Sequence, residues 1–256
     1  MSRMAVLAGA VLGGLVVAAL LWRRQAAREV RTRAERVAAI LAVIDTSKGP
    51  GWVETFQSPQ TRSLSDHDRR WRPIFGQLLV DPRRGAMGDP EGGWERDGGD
   101  DYAFRAVDVP GGSVEIVVDG WWDGDGSIGV QGAVQASPPH QLYEAALWRG
   151  RLALIYFSGP APDQFETLAE SSEWPVGAGY YRIAFRMEKS GSRWLLRARL
   201  LNPAAGYAIL AEATASDDRL PGGGQGIGIL GGGASSFISG IAVKALQDAT
   251  PSQPAS

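Results

Sequence analysis

The chain has 256 residues, 44% of them apolar and 21% charged, a globular composition that excludes a wholly disordered protein. It has no cysteine and only two histidines, His67 and His140, which excludes disulfides, thiolate metal sites, a cysteine nucleophile and a multi-histidine metal centre. The net charge of −2 is split between a basic first 50 residues, with eight Lys or Arg against three acids, and an acidic remainder without an evident basic stripe, which argues against a nucleic-acid partner.

Met4 to Trp22 is uncharged and, as a helix, would span about 28 Å, close to the hydrocarbon thickness of a bilayer. Residues 1–22 therefore read as a transmembrane anchor. The alternative is a cleaved signal peptide, but the lone Arg3 before the span and Trp22-Arg23-Arg24 after it are poor flanks for one. Arg23, Arg24, Arg28 and Arg31 are expected at the membrane surface. By the positive-inside rule they predict a single-pass inner-membrane protein with its amino terminus outside and its main domain in the cytoplasm. Ala5, Gly9 and Gly13 repeat every four residues, a small-residue face that would let another membrane helix approach closely.

Residues 23–50 read as a basic amphipathic neck. Ala27, Val30, Ala34, Val37, Leu41 and Ile44 are spaced alternately three and four apart, so Val30, Val37, Leu41 and Ile44 form an apolar seam for a partner helix. The same seam could instead pack on its own domain or at the lipid interface. Asp45 to Gly51, rich in turn residues, ends the helix.

From Gln77 onward the apolar period shortens to two. The runs predict twelve strands: 77–80, 102–107, 113–118, 127–134, 142–148, 151–157, 165–169, 180–188, 193–201, 208–214, 226–230 and 237–245. Gly150 and Gly191 stand between alternating runs, the short-range signature of a hairpin. With no helix expected after residue 50, residues 51–247 predict an all-β, antiparallel two-sheet sandwich, and 248–256 a disordered tail.

This body resembles the concanavalin A-like lectin/glucanase superfamily, in its laminin-G-like jelly-roll form. The likeness is carried by Glu54-Thr55-Phe56, Trp71, the strand from Gly76 to Asp81, the run from Asp101 to Ala106 and Ser127-Ile128-Gly129-Val130. It continues through the hairpins Tyr143–Leu147 with Arg151–Leu154 and Gly179–Ile183 with Trp194–Ala198, then Leu220-Pro221-Gly222, Gly226–Ile229 and Phe237-Ile238. The resemblance implies a jelly roll, a fold that hosts lectins, hydrolases and adhesion modules alike.

Laminarinase-type members of that superfamily carry Glu-x-Asp-x-x-Glu on one strand. Here Glu115 to Gly120 keeps one acid of three, so Glu115 reads as an ordinary outward-facing strand residue. Trp121, Trp122, Asp123 and Asp125 form the most unusual segment, a candidate for stacking on a sugar ring or for half of a calcium site. The plainer reading is that one tryptophan caps the core while the Asp-Gly pairs make a turn. Gly226 to Gly231 spells G-x-G-x-x-G, but no helix follows, so close sheet packing explains it better than a dinucleotide site. Both histidines read as surface residues.

The sequence thus predicts a non-catalytic, membrane-anchored interaction or scaffolding subunit, with no cofactor or metal and with other membrane-protein subunits as partners. The alternatives are an extracytoplasmic glycan-binding module and a divergent glycoside hydrolase.

Overall fold

The computed structural model describes residues 35–36, 38–42, 51–88, 100–106, 113–135, 139–159, 164–172, 175–220, 226–232 and 235–246. The expected anchor, with Ala5, Gly9 and Gly13, lies outside these residues, as do Arg23, Arg24, Arg28, Arg31, Val30, Val37, Ile44 and the tail. Among the described residues no helix is long and apolar enough to cross a membrane.

Sixteen strands are present among the described residues. In chain order they are β1 Gly51–Glu54, β2 Arg62–Ser63, β3 Trp71–Phe75, β4 Leu78–Asp81, β5 Gly85–Gly88, β6 Asp100–Ala106, β7 Val114–Trp122 and β8 Ser127–Gly132. There follow β9 Leu142–Trp148, β10 Arg151–Phe157, β11 Phe165–Glu170, β12 Gly179–Ser190, β13 Arg193–Asn202, β14 Ala208–Asp217, β15 Gly226–Gly232 and β16 Phe237–Ala245. The larger sheet has the order β14-β13-β12-β7-β16-β5-β4-β2, with β1 also on β16; the smaller has the order β11-β10-β9-β8-β15-β6-β3. The pairings are antiparallel, as the period-two pattern predicts.

Alternation places one set of side chains between the sheets. Ile116 and Val118 of β7, Ile183, Phe185 and Met187 of β12, and Trp194 and Leu196 of β13 share one buried cluster with Ile128 and Val130 of β8, Tyr143 and Leu147 of β9, and Leu152 and Leu154 of β10. Each such side chain contributes roughly 1.5–3 kcal/mol by leaving water. The β9–β10 hairpin turns through Arg149 and Gly150, both at positive φ, which matches the right-handed twist of the strands it joins.

The sheets begin earlier than the pattern suggests. β1, β2 and β5 are too short to show a period, and β3 contains Pro73. That proline is tolerated because β3 is the edge of the smaller sheet, where a missing N–H breaks no ladder. A one-turn helix, α1 (Leu64–His67), also lies where no helix is expected; Ser63 caps it by accepting from the Asp66 amide. β7 runs four residues past its expected end. Asp119 and Gly120, just past the expected end, are strand, and β16 passes so close that a Cβ on Gly120 would stand 2.6 Å from the Phe237 carbonyl.

Candidate functional site: the outer face of the larger sheet

The four residues expected to bind a ligand separate into different roles. Trp121 and Trp122 are the last two residues of β7, and strand alternation sends them to opposite sides. Trp122 is 2% exposed and belongs to the core; its indole N–H donates to the Gly126 carbonyl at 2.6 Å. Asp123 Oδ1 accepts from the Asp125 and Gly126 amides at 3.1 and 3.0 Å, and Oδ2 accepts from the Ser235 amide at 3.1 Å. Burial pushes that carboxyl up, but the amides more than offset it and hold the group below its ordinary range. Both oxygens are thus committed to closing the loop. Asp125 is exposed at the turn. Only Trp121, 37% exposed, presents an aromatic surface outward. The structure therefore follows the plainer reading for Trp122 and Asp123.

The outward side of β7 carries Glu115, Val117, Asp119 and Trp121, and here the sheet meets the neck. The chain is helical at 35–36 and 38–41, and the Ala42 amide donates to the Ala38 carbonyl at 3.0 Å. Ile40, 1% exposed, packs on Val117 and Ala242 with Val53 and Ala184 beside them. Gly240 leaves the room: a Cβ there would lie 3.1 Å from Ile40. Leu41, a member of the expected seam, is half exposed. At this turn the docked side chain is thus Ile40, one position and about 100° of helix rotation from Leu41. Ile40 stands three after Val37 and four before Ile44, so the spacing admits it as readily as Leu41, and the sequence reading took Leu41 alone.

Beneath the helix sits a buried ion pair that the sequence also left unpaired. Asp119 of β7 stands opposite Arg182 of β12. Arg182 Nε donates to Asp119 Oδ1 at 2.6 Å and Nη2 to Oδ2 at 2.7 Å, a two-pronged geometry that belongs to a carboxylate and a guanidinium. Burial works against both charges and pushes the Asp119 carboxyl up, while the short bonds hold the Arg182 proton more firmly than usual. Arg182 Nη2 also donates to the Ala39 carbonyl at 3.1 Å, tying the neck to the sheet. Nearby, the Arg36 guanidinium lies over the Tyr180 and Phe237 rings, 5.1 and 5.9 Å from their centroids. The Tyr180 and Ser239 hydroxyls are hydrogen-bonded to each other, and burial raises the phenol well above its ordinary range.

Beyond the helix, the same face carries arginines that alternation and register collect from separate strands. Arg186 lies directly across from Arg197, and Arg199 is paired with Glu212 of β14. Glu212 accepts from both Arg197 and Arg199, whose cations hold its carboxyl below the ordinary range. Arg186 pairs with Glu188, and Glu115 with Lys244. Between these side chains runs a groove of about 250 Å³ with Val117, Ala184 and Leu201 among its lining and Tyr207 at one wall. A basic cluster is therefore present on a body whose sequence shows no basic stripe, because residues far apart in the chain are neighbours in the sheet.

The remaining sequence features have structural roles. The G-x-G-x-x-G run forms β15, paired on both sides. His67, expected at the surface, is largely buried on α1, 3.5 Å from Glu54. His140 Nδ1 lies 3.0 Å from the Gln135 carbonyl. Among the described residues no group of three or more acidic or histidine side chains converges on one point.

No family model matches the chain, and no curated protein matches it. Similar solved structures include a galectin of Caenorhabditis elegans at 10% identity, covering 55% of this chain and 89% of the galectin, with a TM-score of 0.36. Peanut lectin matches at 9% identity over 76% of this chain and 96% of the lectin, TM-score 0.38. An immunostimulatory antigen and pseudo beta-1,3-glucanase of Mycobacterium tuberculosis matches at 10% identity over 77% and 98%, TM-score 0.31. At such identities and TM-scores these likenesses carry no argument about ligand or activity. The two-sheet architecture rests on the strand pairing itself.

Proposed function

We propose that this chain is a non-catalytic binding module, a jelly roll held at a membrane and seated on its own neck so that it presents the sandwich in a fixed orientation to a larger assembly. The observation that carries this reading is the docking of the neck on the larger sheet through Ile40 and through the Arg182 bond to the Ala39 carbonyl. A tether serving only as a leash needs no such seat; one that orients a domain does. The uncharged stretch from Met4 to Trp22 and the arginines after it support a membrane span with the module on the cytoplasmic side. Non-catalytic use is supported by how the acids are occupied: Glu115 by Lys244, Asp119 by Arg182, Asp123 by three amides.

The full chain is expected to stay with the membrane after alkaline carbonate washing and to carry an intact amino terminus, with a reporter fused after Ser256 active in the cytoplasm. Mature protein beginning downstream of Trp22 and free of membrane overturns the reading.

A second reading, glycan binding, is favoured by the exposed Trp121 ring at the end of β7. Its test is binding on a glycan array that Trp121→Ala abolishes; binding unchanged by that substitution removes it.

A further inference from the structure

The groove beside the neck is the part of the molecule that the proposed function leaves unused. We infer that it is a binding site for a ring-sized molecule bearing one negative charge. The site stands on the groove alone and does not depend on membrane attachment.

The first ground is charge. Arg186 and Arg197 occupy directly opposed positions on adjacent strands, a like-charge pairing that destabilises a sheet unless an anion offsets it. Carboxylates do so only in part: Glu188 serves Arg186, Glu115 faces Arg186 from β7 but is paired with Lys244, and Glu212 is shared between Arg197 and Arg199. Counting Glu115 with its partner Lys244, four cations (Arg186, Arg197, Arg199, Lys244) stand against three carboxylates (Glu115, Glu188, Glu212), which leaves one positive charge over. Both Arg186 and Arg197 are nearly half exposed, so their remaining N–H donors face the groove mouth and solvent.

The second ground is Tyr207. It has a φ of 64°, a left-handed conformation that is an outlier for a bulky residue, and it follows Gly206 at the same angle. Two devices aim it: a 3-10 turn, Pro203–Ala205, and a register shift in the β13–β14 ladder between Leu200 and Leu201. The result lays its ring 4.2 Å from the Arg182 guanidinium, as a wall of the groove. A residue strained into place by a turn and a bulge is a pointer to a site.

The third ground is size and floor. A volume of about 250 Å³ falls just under the usual range for drug-sized ligands and suits one ring. Val117, Ala184 and Leu201 supply apolar surface for the face of that ring, and the arginines supply donors for its carboxylate. A flat ring with a carboxylate can come from a sugar acid or from an aromatic acid, and the test separates them.

Calorimetric titration of the full chain in a nonionic detergent, with D-glucuronate, benzoate, D-glucose and inorganic sulfate, reads the site directly. One of the two ring acids is expected to bind, and whichever binds assigns the ring as sugar or aromatic. Glucose is expected not to bind, and sulfate to bind at least tenfold more weakly. Arg186→Gln with Arg197→Gln is expected to weaken the ring acid at least tenfold. These two exposed residues are not needed for folding, and thermal unfolding checks that. Tyr207→Gly, which relieves the backbone strain while removing the ring, is expected to lower ring-acid affinity toward that of sulfate without loss of folded protein. No binding by either acid at millimolar concentration, or binding indifferent to the arginine pair, overturns the proposal. Sulfate binding as tightly as the acids overturns its ring component. A chain that binds the acid but is found free of membrane would sink the membrane reading and leave this site standing.

Discussion

The end of β7 and its middle lie on one strand and teach opposite lessons about polar residues near tryptophans. At the end, Asp123 gives both carboxylate oxygens to backbone amides and Trp122 gives its indole N–H to Gly126, so the loop is satisfied within itself. In the middle, Asp119 faces outward where an exposed acid would be ordinary, yet it is buried because Arg182 and the neck close over it. Composition marks the first as the site and leaves the second unremarked. Hydrogen bonds separate them differently: the end spends its polar groups on closing its own loop, the middle on joining β7, β12 and the neck, and neither leaves much for a ligand.

The comparison breaks first at the buried pair. Arg182→Met leaves Asp119 buried without its partner and is expected to cost about 3–5 kcal/mol, read as a lower denaturation midpoint in urea. A change under about 1 kcal/mol would mean that the neck is not seated there and that water reaches the carboxylate. The two tryptophans sharpen it next. Trp122→Ala is expected to cost about 3–5 kcal/mol by opening the core. Trp121→Ala is expected to shift stability by only about 0.5 kcal/mol. Equal costs would contradict the opposite facing of the two rings.

Ile40→Ala comes third, at about 2–3 kcal/mol, and the loss should be confined to the neck if the sandwich folds without it. Leu41→Ala, on the exposed side, should be near neutral by the same measurement. The smallest effect lies away from β7. Hydrogen bonds from Arg70, with the charge of Arg105 adding to them, hold the Asp68 carboxyl at about 2 against an ordinary 3.8. A lowered carboxylate pKa contributes stability that is present above pH 4 and is lost as pH falls through 2. Unfolding midpoints at pH 5, 3 and 2 should therefore fall less steeply in Asp68→Asn than in the native chain.

Much of the sandwich was legible because period two is a one-dimensional signal. β9, β10 and β16 begin and end where their alternation does, Gly150 marks the β9–β10 turn and Gly191 the β12–β13 turn. β3 was hidden by Pro73 and β5 by its Gly-Ala-Met-Gly sequence, since an edge strand and a close backbone approach relax the residue rules. The site was less legible for a different reason. Asp119 and Arg182 are 63 residues apart, and Arg186 meets Arg197 only through the register of a hairpin, so no local spacing announces either pair. Ile40 and Leu41 fit the neck's apolar spacing equally, and only the packing shows that Ile40 is the one that docks.

Amide hydrogen exchange in residues 38–42 of the full chain tests the central claim most directly. Residues 38–41 are helical and Ile40 seats them on the larger sheet, so the part of their protection that Ile40→Ala removes reports the sheet beneath. Slowing of the Ala42 amide by a hundredfold or more, abolished in Ile40→Ala, is the expected result. Exchange at the rate of an unstructured peptide in the native chain would show that the neck is undocked, and the account of an oriented module would fall with it.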